Sequence, residues 1–110
     1  MNDIQILAIP EQDYPFGTYS DDRDAAFRTL TSQGYSRLQI QRAIVRELER
    51  MDVAAWNEYQ GAVESYKSGE YSREATAQAQ AKTYRIRERF RLCARELIRQ
   101  TAREINKASV

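Results

Sequence analysis

After Gly69 the chain contains no glycine and no proline, and that uninterrupted run limits the fold more than any other feature. Glycine and proline are the residues that stop helices. From 73 to about 107, Ile86, Phe90, Cys93, Leu97, Thr101 and Ile105 recur every three or four residues, with Ala108 in phase behind them and an alanine-rich stretch at 75–81 ahead of them. One apolar stripe at that period predicts a single long helix. At 1.5 Å per residue it would be roughly 50 Å long, whereas a compact domain of this size has a radius of gyration of about 13 Å. The molecule is therefore expected to be elongated.

A second stripe, Ile40, Ile44, Leu48, Met51, Ala55, Tyr59, Ala62 and Tyr66, can run from 37 to 67. Its start is explicit: Gly34 supplies a left-handed stop, Ser36 with Gln39 forms a capping box, and Tyr35 with Ile40 is placed as a hydrophobic staple. Ser68 and Gly69 end the stripe and Ser72 can cap the next helix, while Asp52 leaves open a division of 37–67 into two helices. Ser20 and the acids Asp21, Asp22 and Asp24 begin an earlier helix that runs to about Gln33.

Residues 1–20 cannot hold a long helix, because Pro10, Pro15 and Gly17 interrupt it. Ile4, Ile6 and Ile9 around polar Gln5 predict one short strand in an extended arm, followed by Tyr14, Phe16 and Tyr19 in a turn-rich stretch. No second strand follows. The arm must then lie against water, add to a partner's sheet edge or pair with a symmetry mate, or else lie as an apolar tail across its own helices. The expected class is all-α: an extended N-terminal arm over 1–20, then a helical domain over 21–110 with a short helix and two long helices packed as an antiparallel hairpin or elongated bundle.

Hydrophobic residues make up 42% of the 110 positions and charged residues 30%, a balance that folds. No uncharged apolar stretch is longer than 6–9, far short of the roughly 20 residues that span a bilayer, and Asp3 opposes the basic start of a signal peptide. A cytoplasmic location without membrane contact is expected. Cys93 is the only cysteine, so neither an internal disulfide nor a cysteine-based zinc site can be drawn. Histidine is absent, which removes the commonest general base and metal ligand together, and the 16 acids are scattered among basic neighbours. No catalytic residue, metal or cofactor is expected.

Charge is unevenly placed. Residues 1–30 carry six acids and two bases, whereas 82–107 carry nine bases and three acids. Arg87, Arg91, Arg95, Arg99, Arg103 and Lys107 form an i, i+4 row, and like charges at that spacing destabilise a helix unless something compensates them. Glu88, Glu96 and Glu104 can do so by pairing with Arg91, Arg99 and Lys107, and the other reading is an anionic partner. Trp56, Tyr59, Val63 and Tyr66 make an aromatic ridge that either covers the C-terminal helix or contacts another protein.

Gly34, Tyr35, Ser36, Arg37, Gln39, Arg42, Ala43 and Ile44, with Ala54 further on, give 27–59 a pattern that resembles the three-helix ubiquitin-associated fold and the similar module that begins bacterial elongation factor Ts. The resemblance implies a glycine-aromatic turn, a second turn before a third helix, and protein binding through the first turn and that helix. No glycine or asparagine stands between Leu48 and Asp52, where the family turns. The same junction also reads as a helix-turn-helix with Arg37, Gln39, Gln41, Arg42 and Arg46 directed at base edges.

These features lead to an expected small non-catalytic protein-binding protein, an adaptor, inhibitor or assembly component of the size that phages and mobile elements encode. Its expected contacts are Ile4, Ile6, Tyr14 and Phe16 of the arm and Arg87, Arg91, Arg95, Arg99 and Arg103 of the last helix, with a larger protein or a second copy as partner. The alternative is a nucleic-acid-binding regulator using Arg42 and Arg46 with the same arginine row.

Overall fold

Capping chemistry written in the sequence sets where the helix before Gly34 ends, where the first long helix begins and ends, and where the second begins. The structure, a computed structural model, describes residues 1–108, which form α1 (Asp3–Ala8), a 3₁₀ turn at Glu11–Asp13, α2 (Tyr19–Ser32), α3 (Arg37–Lys67) and α4 (Arg73–Ala108). Gly34 has φ 93°, its N–H donates to Thr31 O at 3.0 Å, and Tyr35 N–H donates to Leu30 O at 3.2 Å. That is a Schellman end for α2. Gly69, at φ 83°, closes α3 in the same way, with Gly69 N–H on Tyr66 O at 3.1 Å and Glu70 N–H on Ser65 O at 2.8 Å. Between them the Ser36–Gln39 box opens α3, Gln39 N–H donating to Ser36 Oγ at 3.1 Å and Ser36 N–H to Gln39 Oε1 at 2.8 Å. Ser72 Oγ accepts from Ala75 N–H at 3.0 Å at the start of α4.

α3 runs through Asp52 without a break. The third helix implied by the ubiquitin-associated resemblance therefore does not exist as a separate element, because nothing near Asp52 ends the intrahelical ladder. α3 and α4 pack side by side as a hairpin. Toward its tip the buried residues are small, Ala55, Ala62 and Thr83, and the Thr83 hydroxyl proton is shared between Ala55 O across the interface at 3.2 Å and Ala79 O at 2.9 Å. A buried hydroxyl needs such an acceptor, and the absence of bulk lets the backbones approach.

At the other end Leu7, Ala8, Ala26, Leu30, Ile40, Ile44 and Leu48 form one core, with Phe90 and Cys93 of α4 packed against it. α1 lies against α3 and α2 against α1, so the two short helices complete this end of the core. Gln41 Nε2 donates to Cys93 O at 3.0 Å and ties the two long helices together at the edge of this core.

The segment expected to be an extended strand is α1. Asn2 Oδ1 accepts from Gln5 N–H at 2.8 Å while Gln5 Oε1 accepts from Asn2 N–H at 2.9 Å, a capping box that stabilises a helix of six residues until Pro10 stops it. Leu7 and Ala8 are only 3% and 0% exposed, so the apolar-tail reading holds, in helical form. The molecule measures 61 × 30 × 16 Å, and its radius of gyration of 17.0 Å exceeds the compact-domain value, as two long helices side by side require. Among the described residues no helix is long and apolar enough to cross a membrane.

Candidate interaction surfaces

The N-terminal 20 residues are fastened to α4 by two arginines outside the predicted row. Arg85 makes a bidentate pair with Asp13, Nη2 to Oδ1 at 2.6 Å and Nε to Oδ2 at 3.2 Å, and Asp13 keeps its guanidinium pKa above the ordinary arginine value. Arg89 donates to Leu7 O at 2.7 Å and Ala8 O at 2.9 Å, placing a cation on the last carbonyls of α1. Further along, Asp22 accepts hydrogen bonds from Tyr14 Oη and, at 2.7 Å, from Thr18 Oγ1. The Tyr14 bond, then the Thr18 bond, hold the Asp22 carboxyl below the usual carboxylate range, and the bond to Asp22 pushes the Tyr14 phenol up. The Tyr14 ring meets Phe16 and Tyr19 edge-on at centroid distances of 5.6 and 5.4 Å, and Tyr19 Oη donates to Ile9 O at 3.2 Å.

These contacts place the arm's predicted partner-binding residues. Ile4 and Ile6 are half-buried against the core, Tyr14 is half-buried and bonded, and Phe16 is 62% exposed. Arg85 and Arg89 carried no local signal in the sequence. Only the opposite charges of the two ends pointed to them, because which arginine meets which acid depends on the packing of residues more than 70 positions apart.

The predicted arginine row is largely compensated by acids. Arg91 pairs with Glu88 at 2.7 Å, Arg99 and Arg103 both reach Glu96 at 3.8 Å, and Lys107 reaches Glu104 at 3.6 Å. The three-residue pairings expected from sequence are all present. Arg87 leaves the pattern, bonding Asp52 of α3 at 3.0 Å with its guanidinium 4.6 Å from the Trp56 ring centroid. Among the described residues Arg95 alone in the row meets no acid. The row also does not keep to one face: at 3.6 residues per turn each four-residue step advances by about 40°.

α4 nevertheless leaves large apolar side chains outside. Tyr84 is 61%, Leu92 53% and Ile98 70% exposed, and Ile98 lies three residues after Arg95, which itself lies four after Arg91. Trp56 and Tyr66 of the aromatic ridge are also exposed, while Tyr59 and Val63 are half-buried. Beside the Gly34 turn, Ile4, Leu30, Tyr35, Ile40, Ala43, Arg42 and Arg46 line a groove of about 410 Å³. Of the five residues that a helix-turn-helix would direct at bases, Gln39 is used in the cap of α3 and Gln41 in the tie to Cys93. Among the described residues no group of three His, Cys, Asp or Glu side chains is placed to hold a metal ion. Comparison of the chain with protein families, curated proteins and solved structures gave no match.

Proposed function

We propose that this chain is a small non-catalytic protein-binding protein, an adaptor, inhibitor or assembly component of the cytoplasm, that docks on a larger protein through the outward face of α4. One observation carries the reading: Ile98, 70% exposed, stands one helical turn from Arg95, the row's single arginine without an acid. Neither satisfies anything inside the chain. An exposed aliphatic side chain gains by leaving water, an uncompensated guanidinium gains by meeting a carboxylate or carbonyl, and one interface supplies both. Tyr84 and Leu92 extend the apolar part along the helix, and arginine beside aromatic and aliphatic side chains is the composition of binding hot spots.

Duplex or single-stranded nucleic acid is the weaker partner. Its affinity would come from free cations neutralising phosphates, and Glu88, Glu96 and Glu104 occupy most of the row, leaving among the described residues only Arg95 there, besides Arg42 and Arg46 of α3. The test is capture of partners from an extract of the native cells, with and without nuclease, followed by mass spectrometry. A protein retained after nuclease treatment supports the reading. Retention that vanishes with nuclease, or direct binding to nucleic acid that weakens steeply with salt, replaces it with the nucleic-acid one.

A further inference from the structure

The groove between α1, the Gly34 turn and α3 joins an apolar floor to uncompensated charge. Ile4, Leu30, Ile40 and Ala43 make the floor, Arg42 and Arg46 stand on the rim, and no acid lines it. Both arginines are exposed, and among the described residues neither has an ion-pair or hydrogen-bond partner. The walls are fixed in place, because the Schellman end of α2 and the Ser36–Gln39 box lock the turn between them.

We propose that this groove holds an acidic amphipathic helix of a partner protein. Arg42 and Arg46 lie one turn apart on α3, about 6 Å along its axis, which is the spacing of two carboxylates at i and i+4 on a helix laid beside it. Each guanidinium presents a fork that matches a carboxylate. Apolar side chains on the neighbouring row of the same helix enter the floor, and a preformed groove limits the ordering that binding requires. A phosphodiester backbone would use the rim and leave the floor uncovered. The site is separate from the outward face of α4, so either can fail without the other.

Fluorescence anisotropy with two helix-stabilised peptides of about 15 residues tests this. Both carry leucines at three positions spaced i, i+3 and i+7, and on the adjoining row one has two glutamates four residues apart and the other has lysines at those two positions. The glutamate peptide should saturate at micromolar protein and the lysine peptide should bind at least about tenfold more weakly. In the double variant Arg42→Glu, Arg46→Glu the preference should reverse, with far-UV circular dichroism confirming that these exposed substitutions leave the fold intact. Equal binding of the two peptides, glutamate binding that survives the double variant, or no binding by either at about 100 µM overturns the proposal. So does displacement of the peptide by laurate at equal concentration, which would assign the groove to small amphipathic anions. Self-association of the protein that the double variant abolishes would assign it to a second copy and overturn the proposal too.

Discussion

Asp22 shows how a single carboxylate holds the chain between α1 and α2. It accepts from Tyr14 and Thr18, and its charged form is the one these bonds stabilise, while the phenol of Tyr14 is stabilised in its protonated form. The two signs bound a pH window. A carboxyl pKa lowered by folding adds stability that is present above the unfolded value near 3.9 and lost as pH falls through the folded value. A phenol pKa raised by folding adds stability that is present below about 10 and lost as pH rises through the folded value. Tyr14 should therefore titrate above ordinary tyrosine in an NMR-followed titration, and Asp22→Asn should return it toward about 10. An unshifted Tyr14 in the native protein would show that the bond does not persist in solution. Neither partner was legible in the sequence, where Tyr14 stood as a contact residue and Asp22 as one of several acids favouring a helix start, since a side-chain bond across a loop has no periodic signature.

At the scale of elements, both ends of α3 and the start of α4 are readable because they are chemically explicit. Glycine at a positive φ, serine with glutamine three residues on, and a serine before an alanine-rich run each act through the nearest backbone groups, so tertiary context did not need to be known. The N-terminal segment was misread for the complementary reason. Ile4, Ile6 and Ile9 fit a strand's alternation as readily as a helical turn over so few residues, and the deciding Asn2–Gln5 box lay at its very start. Because α1 places Leu7 and Ala8 in the core, removing residues 1–12 should cost about 2–5 kcal/mol and lower the melting temperature by about 10 °C or more. An unchanged melting temperature would mean that α1 is dispensable. Arg89→Ala tests the fastening more gently: it withdraws the donor from Leu7 O and Ala8 O, and denaturant unfolding should report a loss of about 1–3 kcal/mol.

Over the whole molecule, the long axis of 61 Å follows from two unbroken helices, and the thick end exists because α1 and α2 are too short to reach the tip. Elongation was legible from helix length alone. The distribution of unsatisfied surface was not, since it depends on which arginines meet an acid: Arg85, Arg87 and Arg91 do, whereas Arg42, Arg46 and Arg95 do not. Docking through the outward face of α4 is tested by the affinity of the nuclease-resistant partner for the wild type and for the double variant Arg95→Glu, Ile98→Glu. Both side chains are exposed, so the melting temperature should stay within about 2 °C, while affinity should fall by about a hundredfold or more, the scale of losing a hot-spot pair. A partner that binds the double variant as tightly as the wild type would show that this face of α4 is not where it docks.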